Sequence, residues 1–149
     1  MKINIISVGK LSREYKQIAV HYSKMIKWKL KETELTYTKK LSESQIKFYE
    51  AKLIYKNINT NSYKIILDIP GKQVESKDFS LILKNQMMIG KDVDIIIGGI
   101  YGLDDSIIKS ANVTLSLSKM TLPHQLAKVI LLEQIYRAQS ILERHPYHK

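Results

Sequence analysis

Residues 115–126 read L-S-L-S-K-M-T-L-P-H-Q-L and join two apolar parts of the chain through a polar elbow. The stretch begins as a strand-like run and leads into a strongly apolar, helix-like run, with hydroxyls, a lysine, a proline and a histidine between them. Hydroxyl side chains satisfy nearby backbone groups, and proline is well tolerated in the first turn of a helix. The elbow by itself therefore indicates a capped turn between a strand and a helix.

Strand-like and helix-like segments alternate along the rest of the chain. Apolar segments rich in β-branched residues predict strands at residues 2–9, 31–37, 63–69, 93–97 and 113–117. Apolar residues at helical spacing predict helices at about residues 15–26, 46–53, 79–87, 105–109 and 123–142. The third strand is expected to stop at Pro70 and Gly71, which turn the chain sharply. The alternation predicts an α/β fold in which a mostly parallel sheet has helices on both faces.

Length and composition predict one soluble domain over residues 1–149. The chain has 149 residues and no cysteine, and it contains no internal repeat, Ser/Gly linker or low-complexity tract. The absence of cysteine excludes disulfides and a cysteine nucleophile, and it suits a reducing cytoplasm. We find no signal-peptide pattern and no apolar run near the roughly 20 residues that span a bilayer. We therefore expect a cytoplasmic protein with no membrane partner.

Positive charge is concentrated in the first half of the chain. The formal net charge is +10, with 15 Lys or Arg against 7 Asp or Glu in residues 1–75 and 9 against 7 in residues 76–149. Clustered positive charge attracts polyanions such as RNA. A lysine-rich solvated surface gives the same pattern, so charge alone leaves both interpretations open. The candidate RNA contacts are Lys24, Lys27, Lys29, Lys31 and, near the C-terminus, Arg144.

Three strand ends have the residues best suited to a ligand site, because ligands in open α/β sheets bind beyond the carboxyl ends of the strands. These ends are L-D-I-P-G-K at residues 67–72, I-G-G-I-Y-G at residues 97–102, and the elbow itself. Gly98, Gly99 and Gly102 let the backbone approach a ligand closely. Their spacing matches neither the dinucleotide fingerprint nor the phosphate-cradling loop, and alone it is typical of a tight turn.

The final predicted helix, at about residues 123–142, is apolar nearly all round. A helix of this kind must be covered on several sides. In a chain of this size we expect the cover from a second copy in a two-fold dimer, with the elbow beside the interface. A central position within a single chain is the competing explanation. On the same helix Glu133 and Arg137, one turn apart, are expected to pair.

Five motifs in this order resemble the RlmH family, the large-subunit rRNA pseudouridine methyltransferases of the SPOUT class. They are L-D-I-P-G-K, I-G-G-x-x-G-L, L-S-L-S-K-M-T-L-P-H, E-Q-I-Y-R-A and the terminal H-P-Y-H-K. The resemblance covers the whole chain, including its start, M-K-I-N-I-I-S-V-G-K. It implies a C-terminal trefoil knot, a homodimer, S-adenosylmethionine as methyl donor, and methylation at N3 of a pseudouridine in 23S rRNA of the assembled ribosome.

The resemblance places the donor site on residues of the three strand ends, which are Leu67, Gly98, Leu117, Ser118, Lys119, Met120, Thr121 and Leu122. Adenine is planar, neutral and hydrogen-bonding, so backbone groups of a bent loop with apolar walls can hold it. Ile100 and Tyr101 depart from the family, in which many members have a small residue or proline followed by an acidic residue. We therefore assign Tyr101 no catalytic role.

The catalytic candidates are His124, Tyr147 and His148. His124 follows the donor loop and is expected to accept the proton of N3, because imidazole titrates near neutral pH. A histidine bonded to backbone at a helix start is the alternative. Tyr147 and His148 are expected to fold back beside the donor, where the aromatic ring stacks on the target base. Frayed terminal residues are the alternative for the tail. His145 and His148 are two histidines without further ligands, and they do not predict a metal site.

Two other classes of function remain open from the residues. A non-catalytic RNA-binding or ribosome-assembly factor would use the basic first half of the chain, and its glycines and elbow would be plain turns. An α/β enzyme that acts on a small anionic metabolite would also tolerate this charge. Binding of S-adenosylmethionine separates the first alternative from a methyltransferase, and a requirement for ribosomes as substrate separates the second.

Overall fold

A computed structural model describes residues 1–148, apart from the side chain of His148. In that part of the chain five strands alternate with five α-helices, and a 3-10 turn at Pro146–His148 follows. The strands are β1 Lys2–Val8, β2 Lys29–Leu35, β3 Tyr63–Gln73, β4 Val93–Ile97 and β5 Val113–Ser116. The helices are α1 Arg13–Met25, α2 Glu43–Asn57, α3 Ser76–Met88, α4 Asp105–Lys109 and α5 His124–Leu142.

The five strands form one parallel sheet in the order β2-β1-β4-β3-β5. Successive isoleucines alternate between its two faces. Ile65 and Ile95 pack with α1, α3 and α5, whereas Ile66 and Ile96 pack with α2 and α4. Burial of each such side chain stabilises the fold by roughly 1.5–3 kcal/mol. The predicted α/β fold, with a parallel sheet and helices on both faces, is confirmed.

Some element boundaries differ from the predicted ones by a few residues. β2 spans Lys29–Leu35 rather than residues 31–37, because β1 pairs with it from Lys2 opposite Lys29 to Val8 opposite Leu35. β5 ends at Ser116, where the elbow begins. These shifts follow from strand pairing, which the local sequence pattern does not contain.

Strand β3 differs more, because it does not end at Pro70. Its pairing with β5 stops at Leu67, is interrupted by a bulge over residues 68–71, and resumes at Lys72. Leu67 and Lys72 are both opposite Leu115 of β5. Gly71 crosses the backbone of Leu115 so closely that a Cβ on Gly71 would lie 2.5 Å from the Leu115 carbonyl carbon. The prediction that Pro70 and Gly71 end the strand is therefore wrong.

Helix α5 is central within the chain. It lies on the same face of the sheet as α1 and α3 and packs against both, and Leu132, Ile135 and Ala138 are among its fully buried residues. No residue between His124 and Leu142 is exposed. Within the single chain α1 and α3 therefore cover one side of α5, whereas Leu126, Ile130 and Ile141 are only half-buried, and the dimer stays a prediction. The trefoil knot stays a prediction.

Lys128 fixes the first turns of α5 to the edge of the sheet. Its side chain is only 2% exposed, and its Nζ lies 2.8 Å from Glu34 Oε1 and 3.2 Å from Glu32 Oε2, both on β2. A buried ammonium requires such partners, because an unpaired buried charge is strongly destabilising. Lys128 lies one turn after His124, so these ion pairs hold the start of α5, and with it His124, against the sheet.

Candidate active site

The predicted donor residues meet at one cavity at the carboxyl edge of the sheet, formed by the bulge of β3 and the ends of β4 and β5. The cavity has a volume of about 510 Å³. The predicted residues that line it are Leu67, Gly98, Leu117, Ser118, Met120, Thr121 and Leu122. Lys119 is exposed and does not line it. The strand ends meet because β4, β3 and β5 are neighbours in a parallel sheet, so their carboxyl ends share one edge.

Three further residues of the lining, Asp68, Ile69 and Ala127, were not among the predicted donor residues, although the first two belong to the predicted ligand segment at residues 67–72. Asp68 and Ile69 belong to the bulge over residues 68–71, which the sequence pattern predicted to be the end of a strand. Ala127 lies nearly one turn after His124 on the same helix, and that spacing is the signal that could have revealed it.

The elbow is closed by its own hydroxyl groups. The Ser116 hydroxyl donates to the carbonyl oxygen of Ser118 at 2.8 Å, and the N–H of Met120 donates to the Ser118 hydroxyl at 2.9 Å. The predicted bonds between hydroxyl and backbone groups are therefore present within the turn, while none of the described side chains caps the start of α5. Leu117 and Leu122 are half-buried, and they line the cavity on either side of this turn. The elbow is therefore both a turn closed by hydroxyl groups and a wall of the cavity.

The glycine loop, residues 97–102, is a tight turn that also forms a cavity wall. Gly102 has φ +76°, and its N–H donates to the carbonyl oxygen of Gly99 at 3.1 Å. A Cβ on Gly98 would lie 2.8 Å from Leu103 Cγ. The absence of side chains at these glycines therefore lets the loop close while its backbone faces the cavity.

A buried carboxylate lies against the glycine loop without lining the cavity. Glu50 of α2 is 4% exposed, and the hydroxyl of Tyr37 donates to its Oε1 at 2.7 Å. Burial raises the pKa of Glu50. Burial, and then the bond to Glu50, raise the pKa of Tyr37 to about 12. Tyr101 lies near this pair and outside the cavity lining, whereas Ile100 lines the cavity.

His124 begins α5 and lines the cavity. Its ring packs against Gly9, just beyond β1, where φ is +91°. The His124 Nε2 lies 2.8 Å from the point that a Cβ of Gly9 would occupy. Gly9 therefore provides both the left-handed turn and the space for the imidazole. The role of His124 as proton acceptor stays a prediction.

The tail, residues 143–148, folds back on α5. The Tyr147 hydroxyl donates to Glu133 Oε1 at 3.2 Å, and the Tyr147 ring centroid lies 4.6 Å from that of Tyr136. The predicted pair of Arg137 and Glu133 is confirmed, with 2.7 Å between Nη2 and Oε1. Arg137 also lies over the Tyr147 ring, 5.0 Å from its centroid. Burial raises the pKa of Tyr147 above its usual range.

A single chain does not bring Tyr147 to the cavity. Arg137, which contacts Tyr147, is 13 residues beyond His124 on α5. An α-helix rises about 1.5 Å per residue, so about 20 Å of helix separates the tail from the cavity. The side chain of His148 lies outside the described part of the chain, and its catalytic role stays a prediction.

The candidate RNA contacts lie outside the cavity lining and on both faces of the sheet. Lys24, Lys29 and Lys31, near the end of α1 and on β2, are exposed, as is Arg144. Lys27 is exposed too, and its Nζ forms an ion pair with Glu143 Oε2 at 2.7 Å. Lys27 and Arg144 thus lie at the tail, whereas Lys31 lines a groove with Asn57 and Asn59 at the end of α2, on the other face of the sheet.

No group of three or more His, Cys, Asp or Glu within residues 1–148 is arranged to hold a metal ion. None of the helices in this range is long and apolar enough to cross a membrane.

Comparison with known proteins decides the family. A family model described as "Predicted SPOUT methyltransferase" matches residues 1–148. The chain belongs to the SPOUT methyltransferase family. SPOUT relatives over the full length of both chains include "Ribosomal RNA large subunit methyltransferase H" of Ruminiclostridium cellulolyticum, which is 45% identical. The protein of the same name from Clostridium botulinum strain Hall is 43% identical, again over the whole of both chains.

Solved structures share the SPOUT fold of this chain. A putative RNA methyltransferase from Bacillus anthracis matches with a TM-score of 0.56 and 11% identity, over 97% of this chain and 96% of that one. A probable methylase family protein from Haemophilus influenzae matches with a TM-score of 0.57 and 12% identity, over 99% of this chain and 70% of that one. At these identities the similarity shows the fold alone.

S-adenosylmethionine is the methyl donor of SPOUT methyltransferases of the RlmH type. The cavity suits such a molecule, because its volume lies within the range of roughly 300–1,000 Å³ typical of small-molecule sites. Its walls combine apolar side chains, such as Leu67 and Leu117, with the backbone of Gly98 and of the elbow. The predicted residues that could hold the donor in this cavity are therefore Leu67, Gly98, Leu117, Ser118 and residues 120–122.

Gly71→Ala tests whether the bulge over residues 68–71 shapes the donor site. The new Cβ would collide with the backbone of Leu115, so the bulge has to move. We expect the free energy of unfolding to fall by about 1–3 kcal/mol and the affinity for S-adenosylmethionine to fall about tenfold. Urea unfolding and titration calorimetry measure the two effects.

Gly90→Ala is the matched control. Gly90 differs from Gly71 in having a positive φ, +69°, and no atom lies within 4 Å of its Cβ position. We expect a loss of about 1–2 kcal/mol from backbone strain alone and unchanged donor affinity. Equal donor affinity in both variants would show that the bulge does not shape the site.

Proposed function

We propose that the protein methylates N3 of a pseudouridine in 23S rRNA of the assembled ribosome, with S-adenosylmethionine as donor, as a homodimer in the cytoplasm. The observation on which this rests most is the cavity formed by the bulge of β3 and the ends of β4 and β5, where seven of the eight predicted donor residues meet. Full-length relatives named ribosomal RNA large subunit methyltransferase H support the choice of substrate.

The chain's own residues have three tasks in this reaction. S-adenosylmethionine supplies a methyl group on a positively charged sulfur. The elbow and Gly98 hold the donor and fix its direction, because alignment lowers the barrier of an in-line displacement. N3 of pseudouridine has a proton at neutral pH, and the imidazole of His124 accepts it. The apolar cavity walls exclude water from the reacting atoms.

A homodimer accounts for the separation of the tail from the cavity. Tyr147 and the cavity lie at opposite ends of α5, so one chain does not assemble the predicted site. A two-fold axis perpendicular to α5 would make the α5 helices of two copies antiparallel. The tail of one copy would then lie beside the cavity of the other. Tyr147 would then stack on the extruded base, and Arg144 with the exposed lysines would contact phosphates.

Transfer of labelled methyl groups tests the proposed function. Ribosomes from a strain that lacks this modification are expected to accept label from S-adenosylmethionine, whereas naked rRNA and free pseudouridine are not. Mass spectrometry of the digested RNA locates the methyl group at N3. A chain that binds no donor and labels no ribosome would instead be a non-catalytic RNA-binding or assembly factor, and the proposal would be wrong.

Mixing two inactive variants tests whether the tail of one copy completes the cavity of the other. Deletion of residues 146–149 removes Tyr147, and His124→Ala removes the proton acceptor. Each is expected to lower methyl transfer roughly 100-fold or more while calorimetry finds donor binding retained. A mixed dimer contains one intact cavity faced by one intact tail, so mixing should restore activity. Activity that stays absent after the subunits have exchanged would contradict the arrangement.

A further inference from the structure

Glu50 is a buried carboxylate with no part in the proposed donor binding, proton acceptance or base stacking. It lies on α2 and is 4% exposed. A Cβ on Gly99 would lie 2.9 Å from Glu50 Oε1 and 3.1 Å from Oε2. Gly99 itself lines the cavity. The backbone of Gly99 therefore separates the carboxylate from the cavity, with no side chain between them.

The hydrogen bonding of Glu50 makes it an acceptor. The Tyr37 hydroxyl donates to Oε1 at 2.7 Å. The pKa of Tyr37 is raised to about 12, so the phenol keeps its proton at neutral pH and remains a donor. Among residues 1–148, the ion pairs do not include Glu50. Lys128, the buried ammonium on α5, is by contrast neutralised by two carboxylates.

A carboxylate in this position is costly. Burial raises the pKa of Glu50, which means that the surroundings disfavour its charged form. A glutamine of nearly the same size could accept the same hydrogen bond from Tyr37 without that cost. A positive charge bound on the cavity side of Gly99 would offset the cost, because opposite charges attract strongly where water is excluded.

We propose that Glu50 is a positioning residue that favours the positively charged sulfonium of the methyl donor over the uncharged sulfur of the product. This inference rests on the proposed function, since it takes S-adenosylmethionine as the ligand of the cavity. The carboxylate acts through space past the Gly99 backbone and does not touch the donor. S-adenosylhomocysteine gains nothing from it, so Glu50 also favours the exchange of product for fresh donor.

Glu50→Gln tests the inference by titration calorimetry with two ligands, S-adenosylmethionine and S-adenosylhomocysteine. We expect the ratio of their affinities to shift about tenfold against S-adenosylmethionine, while the affinity for S-adenosylhomocysteine stays near that of the wild type. Glu50→Asp keeps the charge and should keep the wild-type ratio. Glu43→Gln, which removes an exposed carboxylate in the first turn of α2, should change neither affinity.

The outcomes separate this inference from the proposed function. If wild-type protein binds neither ligand, the proposed function is wrong and the inference is lost with it. If the wild type binds both and Glu50→Gln weakens both equally, or weakens neither, the inference alone is wrong. An equal loss is what a merely structural Glu50 would produce, because a disturbed wall affects both complexes alike.

A second measurement uses only the wild-type protein. Carbon NMR follows the titration of the Glu50 carboxyl group in each complex. Because linkage is reciprocal, S-adenosylmethionine must lower the pKa of this carboxyl relative to S-adenosylhomocysteine. The titratable neighbours are Tyr37 and, beyond it, Tyr101. Equal titration midpoints in the two complexes would overturn the inference even if the Gln variant did not fold.

Discussion

The backbone of Gly71 crosses the backbone of Leu115 with no space for a side chain, and the candidate site depends on this contact. Because Leu67 and Lys72 are both opposite Leu115, the four residues between them form a bulge at the carboxyl edge of the sheet. That bulge is one wall of the cavity. The chain leaves β5 immediately after Leu115 and Ser116, where hydroxyl bonds turn it into the opposite wall. One crossing therefore sets the distance between two walls.

Much of the fold could be predicted because its signals are local. The buried run Val93–Ile97 and the short helix Asp105–Lys109 have the predicted boundaries, since a continuous apolar run followed by glycines and a short helical spacing are visible within a few residues. The convergence of three strand ends also follows from a general rule of parallel sheets. These two levels, local pattern and sheet geometry, were enough to find most of the cavity lining.

The rest depends on partners far away in the sequence. The bulge over residues 68–71 exists because β5 pairs with β3 on both sides of it, and no local pattern contains that information. The apolar surface of α5 predicted a partner subunit, yet α1 and α3 of the same chain pack against it. The buried carboxylate of Glu50 and the buried ammonium of Lys128 are likewise explained only by the residues that surround them.

Helix α5 organises the two halves of the proposed chemistry. Its first turn positions His124 at the cavity, and Lys128 anchors that turn to β2. Its last turns hold the tail through Glu133 and Arg137, near exposed Lys27, which pairs with Glu143. The helix therefore separates donor binding from the charged surface proposed to meet RNA, and a second copy is the simplest way to bring them together.

A crystal structure with S-adenosylmethionine tests the central claim most directly. The account predicts donor density in the cavity between the bulge over residues 68–71, the glycine loop and the elbow, in contact with Gly98 and residues 117–122. Donor bound at another place on the molecule would contradict the account. A cavity that stays vacant at donor concentrations that saturate the protein in solution would also contradict the account.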